Sequence, residues 1–291
     1  MIIQKELYDI AERLKIQPSV LDKDWVLGHF LNAMFEIESI RNNFVFKGGT
    51  CLKKCYFSDY RYSEDLDFTL LDKDFKIDKE LIKSIISIAG KKSGADFYLN
   101  KIKQQMYNNL PQGYEITIAF WGADHKPNQA VIPVERWQTK IKLDISFSEK
   151  ILLQADVKQI FHPYSDFNII NNTVFVYPIN EIISEKIRAL MQRNRPRDIY
   201  DLYFLSQKVD KKEYSSIHNL LAQKSKDKNL DCCKIENYIN PVKARKNKRA
   251  WESSLGHHLA INKLINFDMA YAIVGELVLN IIKKNVTIQQ V

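Results

Sequence analysis

The spacing of apolar and polar positions changes character three times along this 291-residue chain. Through the first forty residues it is helical: Trp25, Leu27, Phe30, Leu31, Met34 and Ile37 recur at helical spacing behind Asp22 and Asp24, either of which suits a helix cap. Val45-Phe46 then reads as a short buried strand, Gly48-Gly49 as a turn, and Thr50 to Phe57 as the start of a helix. Strict alternation follows in three places. Leu66, Phe68 and Leu70 share one face of a strand whose other face carries Asp65, Asp67 and Thr69; Glu115 to Phe120 repeats the pattern; Ile141 to Phe147 places Asp144 on its polar face between Lys142 and Ser146. Such strands predict a sheet with one side on a core and the other open. Residues 72–105, with Leu81, Ile82, Ile85, Ile86 and Ile88, predict a helix and a connection.

A last strand, Thr173 to Tyr177, ends at Pro178, and the pattern beyond is helical: Ile182 to Arg193, Arg197 to Gln207, Tyr214 to Lys224 and Asp268 to Lys283. The chain therefore divides into an α/β part at 1–177 and a helical part at 178–291. The polar, lysine-rich stretch 224–250 is expected to be a loop or mobile segment. Charge follows the same division. Residues 186–291 carry 20 lysines and arginines against 10 acids, whereas 1–185 carry 23 against 25, so the basic part suits a polyanion or a lysine-rich solvated surface. No apolar run approaches the ~18 residues of a membrane span, and the N-terminus lacks a signal peptide's apolar core, so a cytoplasmic protein is expected. A hydrophobic content of 45% excludes a disordered chain. Cys51, Cys55, Cys232 and Cys233 lack zinc-site spacing and are expected to be reduced and structural.

Three constellations carry chemistry. Asp65, Asp67 and Asp144, if gathered on one sheet face, would repel one another. A divalent cation removes that penalty, and nucleotidyl transfer uses such acids around two ions about 3.5–4 Å apart. An isolated Asp-x-Asp is more often an ordinary solvent-side pair. Here it follows Gly48-Gly49-Thr50, which sits between a strand and a helix, where backbone N–H groups can approach a phosphate. No Gly-Lys-Ser/Thr follows, so this is not a Walker loop. The third group lies within 185–202. Lys186, Arg193 and Arg197 would project from a face opposite Ile182, Ile183, Ile187 and Leu190, and a lysine beside an arginine suits a triphosphate. Asp198 would orient Lys186 or bind the nucleotide, and Arg197 and Asp201, four apart, could simply pair. His257-His258 has no ligand partner at metal spacing. Trp137, Trp251 and most tyrosines suit the core, while Tyr60 and Tyr62 lie beside the proposed site.

Lys47-Gly48-Gly49-Thr50 followed by Arg61-x-Ser63-Glu64-Asp65-Leu66-Asp67-Phe68 closely resembles the AbiEii/AbiGii toxin family of the polymerase-β-like nucleotidyltransferase superfamily. Lys23-Asp24-Trp25-Val26-Leu27 and Arg197-Asp198-x-x-Asp201-Leu202 extend the resemblance over about residues 20–207. It implies an α+β fold, a polymerase-β-like domain with a small mixed sheet flanked by helices and a helical C-terminal domain. It implies transfer of an NMP from an NTP to an acceptor hydroxyl, RNA such as tRNA, by the toxin of a toxin–antitoxin or phage-defence (abortive infection) system with an antitoxin encoded beside it. Asp65, Asp67 and Asp144 would be catalytic and hold two Mg²⁺ ions, or Mn²⁺ in their place. Lys186 and Asp198 match positions that serve nucleotide binding or catalysis in the family, and Lys47, Gly48, Gly49, Thr50, Ser63, Lys186 and Arg197 would bind the nucleotide. The alternatives are a nucleotidyltransferase with a small-molecule acceptor, and a non-catalytic module that binds nucleotide or RNA.

Overall fold

The computed structural model describes residues 2–126, 129–193, 195–260 and 263–283. The chain forms two compact units, Met1–Tyr177 and Pro178–Val291. The first begins with α1 (Gln4–Leu14), α2 (Pro18–Glu36) and α3 (Glu38–Arg41), then β1 (Phe44–Lys47), α4 (Gly48–Cys51), a π-helical turn at Leu52–Tyr56 and β2 (Asp65–Leu70). After α5 (Lys79–Ser93) come β3 (Asp96–Tyr107), β4 (Leu110–Trp121), β5 (Lys140–Ser146), β6 (Asp156–Gln159) and β7 (Thr173–Val176). The seven strands make one mixed sheet in the order β3-β4-β5-β2-β1-β7-β6. β2 runs parallel to β5 and antiparallel to β1.

One face of this sheet is apolar. Leu66, Phe68, Ile116, Ile118, Ile141, Leu143 and Ile145 are all buried there, and α2 and α5 pack on it. Fully burying such a side chain stabilises by about 1.5–3 kcal/mol. α2 is buried on every side from Leu21 to Phe35 except at Lys23, as expected of a helix inside a core. It starts at Pro18 after Gln17, so Asp22 and Asp24 are interior residues and not caps. Each polar residue buried on α2 ties down a distant segment. Asp22 accepts the Ala123 N–H at 2.7 Å, Asp24 pairs with Lys54 at 2.7 Å, and Asn32 accepts the N–H groups of Asn171 and Asn172.

The segment 72–105 differs from its expectation. It holds α5, capped by Asp78, and then a twelve-residue strand, β3. β3 is the sheet's edge and carries a bulge, so its polar positions break the period that marks β2 and β5.

The second unit is helical: α6 (Ile179–Gln192), α7 (Pro196–Ser206), α8 (Tyr214–Lys226), α9 (Pro241–Leu255) and α10 (Phe267–Lys283). Ile183, Ile187, Leu202, Ile217, Leu221, Val274 and Val278 form its core. The stretch 224–250 is not one loop. α8 reaches Lys226, and α9, capped by Asn240 with Pro241 at its first position, seats Trp251 against Phe267. The polar composition of α9 reflects a mostly solvated face, with Asn247, Trp251 and Leu255 inward.

Candidate active site

β1 delivers the chain to Gly48, whose φ of +84° lies in the left-handed region that glycine tolerates. A Cβ there would fall 2.1 Å from Asp67 Oδ2, so the first glycine gives the Asp67 carboxylate its place against the turn. A Cβ on Gly49 would meet the Arg61 guanidinium at 2.9 Å and Ser63 Oγ at 3.0 Å. Thr50 is buried, and its hydroxyl donates to the Asp65 carbonyl at 2.5 Å, which joins the turn to the start of β2. Lys47 lies opposite Asp67 in the β1–β2 ladder, with Nζ 5.2 Å from the centre of the Tyr177 ring.

Asp67 and Asp144 are direct partners in the parallel β2–β5 ladder, and Asp65 is paired with Lys142 two residues earlier. Neighbouring strands lie about 4.8 Å apart, so the three carboxylates share one small area of the polar face. Asp65 is exposed, and Asp67 and Asp144 are half-buried. Gln105 Nε2 donates to Asp144 Oδ1 at 3.4 Å. Lys142 pairs with Glu115 at 3.1 Å, and its ammonium pKa is raised by that contact first and also by Asp65 and Asp144. Hard carboxylate oxygens converging from two adjacent strands fit Mg²⁺ or Mn²⁺, which take oxygen ligands.

Tyr60 and Tyr62 are buried, at 2% and 8% exposure, and hold side chains in place instead of offering a platform for a base. The Lys53 ammonium lies 4.5 Å over the Tyr62 ring, and the Arg61 guanidinium lies over Tyr60. All four cysteines are free thiols, and burial raises the Cys51 pKa well above the ordinary thiol value.

In the second unit, Lys186 sits between Asp201 Oδ2 at 2.7 Å and Asp198 Oδ1 at 3.2 Å, and both acids are buried. Arg193 brackets Asp198 from the other side, with Nε and one terminal nitrogen at 2.9 and 3.0 Å. Asp201 thus faces Lys186, and Arg197 Nε donates to the Ser254 carbonyl at 3.4 Å. Between α8 and α6, buried Lys224 pairs with Glu181 at 2.8 Å and Glu185 at 3.0 Å. The structure therefore gathers Gly48, Gly49, Ser63, Asp65, Asp67 and Asp144 in one unit, and Lys186, Asp198 and Asp201 in the other.

One cluster has no counterpart in the motifs. Asp166 accepts hydrogen bonds from Trp25 Nε1 at 3.0 Å, His29 Nε2 at 3.0 Å and His162 Nε2 at 2.9 Å. Among the described residues, these two histidines and the aspartate form a group with metal-ligand chemistry. The distances are those of direct hydrogen bonds. Burial lowers the His162 pKa to about 4, so the imidazole is neutral and donates. Burial opposes charge on Asp166, but bonds from His162, His29 and Trp25 more than offset it and keep the carboxylate ionised. The cluster binds the loop at 162–166 to α2. His29 and His162 are far apart in sequence, so no spacing signal could have joined them.

A family model described as "Nucleotidyl transferase AbiEii toxin, Type IV TA system" matches residues 29–272. No curated protein matches the sequence. Among solved structures, MenT4, a nucleotidyltransferase toxin from Mycobacterium tuberculosis H37Rv, aligns with a TM-score of 0.66 at 15% identity, over 97% of this chain and 90% of that one. JHP933 from Helicobacter pylori aligns with a TM-score of 0.54 at 18% identity, over 94% and 96% of the two chains. At such identities the likeness is one of fold.

Proposed function

The chain belongs to the AbiEii family of nucleotidyltransferase toxins, and from that membership we propose that it moves an NMP from an NTP to a hydroxyl of RNA, with tRNA as the first candidate acceptor. The observation that carries the reading is the parallel register of Asp67 with Asp144, with Gly48 shaped around Asp67. Asp65, Asp67 and Asp144 would hold two Mg²⁺ ions, or Mn²⁺, which supply charge neutralisation for the phosphates and the leaving pyrophosphate. The backbone at Gly48 and Gly49, with Lys47 and Ser63 beside it, would seat the triphosphate. The acceptor oxygen attacks the α-phosphorus, the bond from that phosphorus to the pyrophosphate oxygen breaks, and the hydroxyl proton passes toward Asp144.

Lys186 and Asp198 are assigned to the nucleotide. Lys186 is matched by two carboxylates and would meet a phosphate by exchanging one of them, while Arg193 retains Asp198. Arg197 is held more loosely, because its Nε serves Ser254. The family's toxin–antitoxin description supports an antitoxin as the functional partner.

The test is incubation with Mg²⁺, total tRNA and each α-labelled NTP in turn. Label should enter RNA with one NTP and fall by about three orders of magnitude in Asp65→Ala, the scale of several kcal/mol of lost transition-state stabilisation. A fully active Asp65→Ala would overturn the metal assignment. Label in small hydroxylated compounds and none in RNA would move the acceptor to that class.

A further inference from the structure

The polar face of the sheet continues past the three carboxylates onto the β3–β4 hairpin, and a single extra residue decides what it carries. On the apolar side Phe97 pairs with Phe120 and Leu99 with Ile118. Continued alternation would place residue 101 on that side, opposite Ile116. Instead the register shifts between Leu99 and Lys101, and the Asn100 side chain accepts the Ala119 N–H at 3.1 Å. Lys101 then pairs with Thr117, Lys103 with Glu115, and Ile102 takes the place opposite buried Ile116. Bulges re-aim side chains in this way and are frequent beside active sites.

The ladder rows now run from lysine to catalytic acid. One row is Lys103, Glu115, Asp144 and Asp67; the next is Lys101, Thr117, Lys142 and Asp65. Lys140 lies on the same face, two residues before Lys142. All four lysines are exposed, and α2 and α5 lie on the sheet's other side. Glu115 is the acid among them, and its carboxyl is held below the ordinary range by Lys142 first, with Lys101 and Lys103 adding to the effect. At the far end of β3, beyond a second register shift between Gln105 and Met106, Tyr107 is 68% exposed.

We propose that this face of β3, β4 and β5 is the track on which a single-stranded RNA end lies, its phosphates on Lys101, Lys103, Lys140 and Lys142 and a base on Tyr107, so that its terminal hydroxyl reaches Asp144. The proposal rests on the RNA acceptor of the preceding section and names where that acceptor binds. With Asp65, Asp67 and Asp144 neutralised by the divalent ions of the preceding section, the four lysines of these rows outnumber the remaining carboxylate, Glu115, and suit a polyanion. Lysines two residues apart on a strand stand about 6.6–6.8 Å apart and can serve successive backbone charges. An exposed tyrosine adds stacking that tolerates any base.

The experiment measures binding of a 5′-fluorescein 12-nucleotide single-stranded RNA by anisotropy across a salt series, beside the transfer assay with tRNA. The double variant Lys101→Glu/Lys103→Glu should weaken binding at least tenfold. It should reduce the steepness of the log-affinity against log-salt plot by about 1.4, at ~0.7 per lost phosphate contact on a single strand. The KM for tRNA should rise by a similar factor, and the KM for NTP should stay within about twofold. Lys5→Glu/Lys91→Glu, on α1 and α5, makes the same charge change away from this face and should leave both RNA readouts as in the wild type. Equal losses in the two double variants, or none in Lys101→Glu/Lys103→Glu while the wild type labels RNA, would overturn the track and leave the RNA acceptor standing. A wild type that neither binds the oligonucleotide nor labels RNA would remove the acceptor reading itself, and the track with it.

Discussion

Gly48 shows how closely the turn and the acid are fitted. Its φ of +84° and the 2.1 Å separation that a Cβ would have from Asp67 Oδ2 act on the same atom group. Gly48→Ala should push Asp67 out of line with Asp144 and lower transfer about 100-fold, the cost of a displacement near 1 Å. Asp22 makes a different prediction. Burial raises its pKa to about 7, and Oδ2 has no partner. The folded state therefore binds a proton that the unfolded chain releases near 3.8. Stability from this group is full below that value and is lost as pH rises through about 7. Asp22→Asn should be more stable than the wild type at pH 8 by a few kcal/mol and similar at pH 4, as urea titrations at the two values would show. Much of the candidate site at this scale could be read from the sequence, because alternation alone puts Asp65 and Asp67 on one side of β2 and Asp144 on the polar side of β5. The alignment of Asp67 with Asp144 could not, since strand register between distant segments leaves no local trace. Nor could the donation of the Thr50 hydroxyl to the Asp65 carbonyl.

Among the elements, α2 and β3 are the instructive pair. α2 was legible as an apolar helix, but Asp22 and Asp24 looked like caps because their partners, Ala123 and Lys54, lie far along the chain. The pair Asp24–Lys54 is fully buried, and although burial raises the Asp24 pKa, Lys54 and Lys53 more than offset it. Lys54→Met should cost about 3–5 kcal/mol by leaving the carboxylate uncompensated. Adding Asp24→Asn should restore most of it, and failure of that rescue in denaturant melts would show that Lys54 acts through packing instead. β3 escaped sequence reading for the opposite reason. Its hydrophobic signal is weak at the sheet edge, and the bulge at Asn100 breaks the two-residue period on which a strand is recognised.

For the whole chain, residues 29–272 follow the family, and the basic balance of 186–291 accompanies it. NTP with Mg²⁺ at 100 times its dissociation constant should stabilise the protein by about 2.7 kcal/mol, or roughly 5 °C in melting temperature. Chelation by EDTA, or Asp65→Ala, should abolish that shift in a thermal scan. The ties of α2 also bear on synthesis. Trp25 and its acceptor Asp166 are separated by 141 positions, and His29 and the same carboxylate by 137. At translation rates of about 5–20 residues per second, a gap of ~140 residues lasts roughly 7–28 s. During that interval the ring nitrogens of Trp25 and His29 on the nascent helix await their acceptor. Asp65, Asp67 and Asp144, the carboxylates proposed to be catalytic, are all made before Asp166 appears. A nascent chain that stops short of residue 166 therefore holds this proposed acid set on a scaffold that one of the last loops of the first unit has yet to fasten.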